Sequence, residues 1–239
     1  MLTGELLTYL FDGQPHILAE PVGTWLNSSR RFAAFVDTFR DKIRKKIRVT
    51  QDSETLLDVR LELETAYRLL QEKTLSLVYE PQLAEKVRSP DFAVSYTTSL
   101  TFMLEVTRLR VSPKSTDEQT SETNATGDRL ADAVCSKLGQ LIHQQCNIVL
   151  VGVDALTLAQ DEVRAAMLRM QQRAERSDQT FFQRYHFRDR AEFFRYYQRL
   201  SEILARGTDR ESFIAWVNPQ AKSPLPSKVR TVFYRSQSV

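Results

Sequence analysis

Cysteine, histidine and glycine are scarce in this chain of 239 residues, which has 2 cysteines, 3 histidines and 7 glycines. Two thiols cannot build a disulfide framework, and three scattered histidines offer no zinc-ligand spacing. No stretch approaches the roughly 20 apolar residues that cross a bilayer. The first residues lack the basic region of a secretory signal. The sequence therefore predicts a cytoplasmic globular protein without a membrane segment, in which any metal site must consist of carboxylates.

The chain also has little excess of either charge, because 33 Lys and Arg nearly balance 30 Asp and Glu and the formal net charge is +3. Arginine is nevertheless concentrated in residues 30–48 and 164–210. These stretches are interpreted either as solvated helix faces or as surfaces that contact phosphate groups. The second stretch also interleaves aromatic residues, a mixture that favours either a packed core or stacking on nucleic-acid bases.

The hydrophobic pattern predicts one α/β domain over residues 51–239, preceded by an N-terminal helical extension over residues 1–50. Residues 112–127 are almost entirely polar, which predicts a mobile surface loop. The predicted helices are 30–47, 53–72, 128–145, 160–176 and 190–206, and the predicted strands are 75–79, 91–96, 100–111, 147–153, 212–217 and 228–234.

Two acids stand out in the predicted hairpin, Asp91 at the start of one strand and Glu105 inside the next. Side chains alternate across a strand, so Met103, Glu105 and Thr107 share one face. A carboxylate inside an apolar strand is costly unless it is paired or binds a cation. We expect the two carboxylates to lie about 4 to 7 Å apart, close enough to share one cation.

A third acid comes from the second predicted helix. At about 100° per residue, Glu62 falls inside the apolar arc formed by neighbours such as Ala66 and Leu69, whereas Glu64 falls outside it. We therefore expect Glu62 to face inward and to approach Asp91 and Glu105, and we expect Glu64 to be exposed to solvent. Carboxylate ligands of this kind suit Mg²⁺ or Mn²⁺, and such a metal activates water and stabilises the charge that develops on a phosphodiester.

The order of these features resembles the PD-(D/E)XK nuclease superfamily. The resemblance covers about residues 58–153: an acid on a helix, Pro90-Asp91-Phe92, a strand bearing Glu105-Val106-Thr107, then a helix and a buried strand. The later Asn218-Pro219-Gln220-Ala221 stretch also looks like the tails of diverged bacterial members.

The resemblance implies a restriction-endonuclease-like αβββαβ core with a mixed central sheet flanked by helices, followed by C-terminal helices and two short strands. It implies Glu62, Asp91 and Glu105 as metal ligands, Mg²⁺ or Mn²⁺ as cofactor and DNA as substrate. Because nucleases that cut both strands are commonly dimers, it leaves a homodimer open.

One position departs from the superfamily pattern, since Thr107 occupies the place of its lysine. Lys137, on the helix that follows the hairpin, is the candidate replacement, with Gln140 three residues on as a water-orienting amide. Arg108 points away from Glu105 by strand parity, and Arg110 lies near the strand end, so both rank below Lys137. The alternative for Lys137 and Gln140 is a solvated helix face.

Three functions remain open from the sequence. The first is a metal-dependent nuclease that hydrolyses phosphodiester bonds. The second is a catalytically inactive nuclease-fold protein that binds nucleic acid or a protein partner, which Thr107 favours. The third is a structural protein unrelated to the superfamily.

Overall fold

The computed structural model describes residues 2–50, 52–82, 89–109, 122–153, 158–207 and 213–238. These ranges contain nine helices and six strands. In chain order they are α1 (Thr3–Phe11), α2 (Ala19–Ser28), α3 (Arg30–Val49), α4 (Ser53–Gln71), β1 (Leu75–Tyr79), β2 (Phe92–Tyr96), β3 (Leu100–Leu109), α5 (Glu122–Leu138), β4 (Cys146–Val153), α6 (Gln160–Glu175), α7 (Gln179–Tyr185), α8 (Arg190–Tyr197), β5 (Leu200–Gly207), β6 (Phe213–Val217) and α9 (Ser227–Gln237).

The strands form one six-stranded sheet in the order β1-β2-β3-β4-β5-β6. Strands β3, β4 and β5 run parallel, and β6 is antiparallel to β5. A mixed sheet flanked by helices confirms the predicted α/β class. No helix in the described ranges has the length and apolar character that spanning a bilayer requires.

The chain folds as two compact units. The first consists of Met1–Tyr79, Val94–Leu100 and Lys228–Val239, so it continues well past residue 50. Its long helices begin where the sequence offers a cap: the side chains of Ser29 and Asp52 accept hydrogen bonds from the first turns of α3 and α4. The predicted helices at 30–47 and 53–72 are confirmed, and so is the strand at 75–79.

The second unit consists of Glu80–Ala93 and Thr101–Ser227. The register of its parallel strands places Glu105 beside Val149, and Val149 beside Ile203. Because neighbours in register share a face, these residues all point to one side of the sheet. Helices α5, α6 and α8 cover that side, and their apolar residues join Val149 and Ile203 in one core that includes Val134, Leu138, Met167, Met170, Phe193 and Tyr197.

Three predicted elements differ from the observed ones. Helix α5 begins at Glu122, inside the segment predicted as a loop, and ends at Leu138 rather than at 145. The rest of that predicted loop, 112–121, lies outside the described residues. The predicted helix at 190–206 is wrong in its second half, because α8 ends at Tyr197 and β5 begins at Leu200. The predicted strand at 228–234 is also wrong, because α9 occupies it.

Both cysteines are free and buried, Cys135 on α5 and Cys146 on β4. Burial raises the pKa of the Cys135 thiol well above its usual range. We expect a thiol reagent such as Ellman's to modify neither residue in the native protein at neutral pH, and to modify both in denaturant. Rapid reaction of the native protein would mean that the α5 and β4 region opens locally.

Candidate active site

Glu105 lies in the middle of β3, on the face that helices cover, and it is 3% exposed. A carboxylate at such a position must be compensated, because removing a charge from water costs several kcal/mol or more. The neighbouring residues on the same strand, Leu104 and Val106, face the other side of the sheet.

Lys137 supplies a compensating charge from α5. Its Nζ lies 2.9 Å from Glu105 Oε2, and the two side chains are 14% and 4% exposed. Val134 and Leu138, on either side of Lys137 in sequence, belong to the core between α5 and the sheet. The flexible stem of the lysine therefore reaches past this apolar stripe to the strand. The predicted contact between Lys137 and Glu105 is confirmed.

Asp91 immediately precedes β2, and its side chain binds β3 at the residue that follows Glu105. Its Oδ2 accepts a hydrogen bond of 2.7 Å from the backbone N–H of Val106, and its own carbonyl accepts one of 2.9 Å from Glu80. The Asp91 side chain thus binds to the backbone of the residue that follows Glu105. The separation of about 4 to 7 Å between the two carboxylates stays a prediction.

Glu62 belongs to the first unit, where it is 6% exposed. Its carboxylate accepts hydrogen bonds of 2.8 and 2.6 Å from Lys46 and of 2.9 Å from the Tyr79 hydroxyl. The inward orientation of Glu62 is confirmed. The expected exposure of Glu64 is wrong, because its side chain is only 13% exposed and pairs with Arg68 at 2.9 Å. The approach of Glu62 to Asp91 and Glu105 and its role as a metal ligand stay predictions.

The hydrogen bond between Tyr79 and Glu62 should contribute measurably to the stability of the protein. Changing Tyr79 to phenylalanine removes a hydroxyl that donates to a buried carboxylate, and we expect the free energy of unfolding to fall by about 1.5 to 3 kcal/mol. Urea denaturation followed by circular dichroism measures this loss. The exposed Ser76, changed to alanine in the same strand, is the control. An unchanged midpoint in the Tyr79 variant would contradict the contact.

Gln140 lies in the turn after α5 rather than on the helix itself. Its Nε2 donates a hydrogen bond of 3.2 Å to the Ser136 carbonyl. Its Oε1 is buried and accepts no hydrogen bond from the residues that the structure describes. Gln140 is therefore not on a shared helix face with Lys137, and its role in orienting water stays a prediction.

Sequence reasoning missed two buried charges on the opposite face of the sheet. Glu202 and Arg206 on β5 are both 0% exposed. Arg108 on β3, 6% exposed, lies in the same register row as Arg206, with Gly152 between them. The predicted direction of Arg108, away from Glu105, follows from the same alternation, and Arg110 lies outside the described residues.

The basic stretch on α3 is largely engaged within its own unit. Arg44 and Arg48 both bind Asp12, Arg40 pairs with Asp37, and Lys46 binds Glu62. Hydrogen bonds from Arg48 and Arg44 hold the pKa of Asp12 below its ordinary value. These cations are therefore compensated within their own unit, and phosphate contacts by the helix stay a prediction.

No group of three or more His, Cys, Asp or Glu side chains among the described residues is arranged to hold a metal ion. No protein-family model, curated protein or solved structure matches the chain.

Proposed function

We propose that this protein is a metal-dependent nuclease of restriction-endonuclease-like fold that hydrolyses phosphodiester bonds, with DNA as substrate. The observation that carries the proposal is the 2.9 Å contact between Lys137 and Glu105. It supports the migration of the catalytic lysine from position 107 to the following helix. Asp91 accepts a hydrogen bond from the backbone of Val106 and so brings a second acid to the segment of β3 that carries Glu105.

The donor set fits Mg²⁺ or Mn²⁺. These ions usually take one or two protein carboxylates and complete their shell with water and substrate phosphate, so a third acidic ligand is not required. Asp91 and Glu105 would hold the ion. When bound, it supplies a Lewis acid that activates water and stabilises negative charge on the phosphodiester.

The protein's own groups have separate tasks in this proposal. The Lys137 ammonium neutralises charge that develops on the scissile phosphate, and its place beside Glu105 keeps it oriented. The hydrogen bond from Val106 fixes the Asp91 carboxylate, so both acids are held before substrate binds. The half-buried Thr107 carries no charge and leaves the cationic role to Lys137.

A cleavage assay tests the proposal. Purified protein is incubated with supercoiled plasmid, single-stranded DNA and RNA, in Mg²⁺, in Mn²⁺ and in EDTA. We expect metal-dependent cleavage that the Glu105→Gln variant lacks, because the amide keeps the side-chain volume but loses the anionic ligand. Glu64→Gln is the matched control, since it removes a comparably shielded carboxylate in α4.

The alternative is a catalytically inactive nuclease-fold protein that binds nucleic acid or a protein partner. Thr107 at the usual lysine position favours it. If no substrate is cut with either metal, the nuclease proposal is overturned and this alternative takes its place. If Glu105→Gln cuts at the wild-type rate, the nuclease proposal is also overturned for this site, because the hydrolytic site would then lie elsewhere.

A further inference from the structure

The second unit carries an open cavity of about 390 Å³ where α7 and α8 meet. Two aromatic side chains, Phe182 and Phe194, and two arginines, Arg188 and Arg190, contribute to its walls. Asp189 is the one acid among its lining residues. The cavity therefore combines an apolar wall with an excess of positive charge.

The two arginines of this cavity are accessible. The Arg188 side chain is 73% exposed and pairs with Asp189 at 3.1 Å. Arg190 is exposed and forms no ion pair with any residue in the described ranges. Its guanidinium lies 5.7 Å from the centre of the Phe194 ring. Arg190 and the half-buried Phe194 ring together form a surface, here called the platform, that places positive charge beside an aromatic group.

The arginines of a neighbouring cavity are less available to an external anion. On the other side of α7, a cavity of about 120 Å³ is lined by Arg169, Arg173 and Arg184. Each of them pairs with an aspartate: Asp128, Asp178 and Asp132 respectively. In the α7–α8 cavity Arg188 also has an aspartate partner, so the unshared charge that an external anion would find there is that of Arg190.

From these observations we propose that the α7–α8 cavity binds a single-stranded nucleic-acid segment. Arg188 and Arg190 contact successive phosphates, and one base stacks on the Phe194 and Arg190 platform. Sequence-tolerant binding of single strands uses this combination of cationic side chains and aromatic faces. Duplex bases are already stacked on one another and cannot use the platform. The choice of ligand rests on the proposed nuclease function, but the cavity itself is separate from Glu105 and Lys137.

The test is fluorescence anisotropy in EDTA, where no hydrolysis occurs, with a labelled single-stranded DNA of about 12 nucleotides and a duplex of the same length. We expect the Arg188→Ala/Arg190→Ala variant to weaken single-strand binding about ten-fold and to reduce the slope of log K against log salt by about 1.4. Phe194→Leu should weaken binding about five-fold. Arg164→Ala, an exposed arginine on α6, is the matched control and should bind within about two-fold of the wild type.

Each outcome decides the proposal. An unchanged affinity and salt slope in the double arginine variant would overturn it, and so would a duplex that binds at least as tightly as the single strand. Equal losses in Arg164→Ala would also overturn it, by indicating a general charge effect. Because binding is measured without metal, a protein that binds but does not cut separates this proposal from the nuclease proposal.

Discussion

Replacing Lys137 with methionine should slow plasmid cleavage by about two to three orders of magnitude, the usual cost of removing one preorganised charge-stabilising group. Lys137 Nζ lies 2.9 Å from Glu105 Oε2, and it is the cation that the proposed site uses in place of a lysine at position 107. Methionine keeps the apolar stem that passes Val134 and Leu138, so the variant removes charge with little change in core volume. The measurement is the initial cleavage rate at saturating Mg²⁺, corrected for the rate in EDTA.

A matched ion pair elsewhere separates catalysis from stability. Arg68 and Glu64 in α4 form a pair of 2.9 Å with side chains 15% and 13% exposed. Changing Arg68 to methionine should lower the free energy of unfolding without changing the cleavage rate. If Lys137→Met instead cuts within about three-fold of the wild type while Glu105→Gln is inactive, Lys137 only stabilises Glu105. Rescue of Lys137→Ala by added ethylamine would support the catalytic role, because a small amine can restore the charge but not the covalent stem.

The sequence was sufficient to pair Lys137 with Glu105 because two simple periodicities act at this place. Strand alternation sends Glu105 to the face that α5 covers, and the helical repeat puts Lys137 beside residues that must be buried there. The same helical repeat located Glu62 inside its unit. It failed for Glu64, because the repeat takes no account of the i, i+4 pairing with Arg68, which shields this carboxylate from solvent.

The C-terminal part of the chain was harder to predict because its residues satisfy two patterns at once. The sequence of β5, LSEILARG, continues the helical pattern of α8, and Glu202 and Arg206 stand four residues apart as in a helical ion pair. All eight residues are nevertheless buried, since β5 lies between β4 and β6. A central strand covered on both faces has no period of two to reveal it.

Helix α9 presents the reverse ambiguity. Val229, Thr231 and Phe233 alternate as in a strand, whereas Val229, Val232 and Phe233 also match a helical repeat. The structure buries Val229, Val232 and Phe233 and leaves Thr231 exposed, so the helical repeat prevails. No local property of the sequence distinguishes the two patterns, because the choice depends on the surface against which the segment packs.

The Asn218-Pro219-Gln220-Ala221 stretch has a structural explanation that needs no catalytic role. The Asn218 side chain is 3% exposed and donates hydrogen bonds of 2.9 and 2.8 Å to the carbonyls of Tyr197 and Leu200. Its carbonyl oxygen accepts one from Gln220 N–H at 2.9 Å. The residue thus joins the end of α8 and the start of β5 to the turn after β6. An asparagine suits this position because its amide supplies two donor hydrogens and an acceptor oxygen, and all three are used here.

Asn147 is expected to be among the most sensitive positions for stability in the second unit. It is 1% exposed at the start of β4. Its Oδ1 accepts a hydrogen bond of 3.0 Å from Ile142 N–H, and its Nδ2 lies 2.9 to 3.0 Å from the carbonyls of Ile142, Gln145 and Arg199. The side chain therefore ties the end of the α5–β4 connection to the chain that enters β5.

Changing Asn147 to alanine should reduce the free energy of unfolding by about 3 to 5 kcal/mol, because buried backbone groups lose their partners and a cavity replaces the amide. The Asn147 N–H still binds the Ser201 hydroxyl at 2.9 Å, so the register shift that interrupts the β4–β5 ladder at this point should survive. Urea denaturation with a constant m-value measures the loss. Asn27→Ala, at an exposed position on α2, is the control and should change stability by less than about 0.5 kcal/mol. A small loss in the Asn147 variant, comparable to that of the control, would mean that the connection between α5, β4 and β5 is held by packing alone.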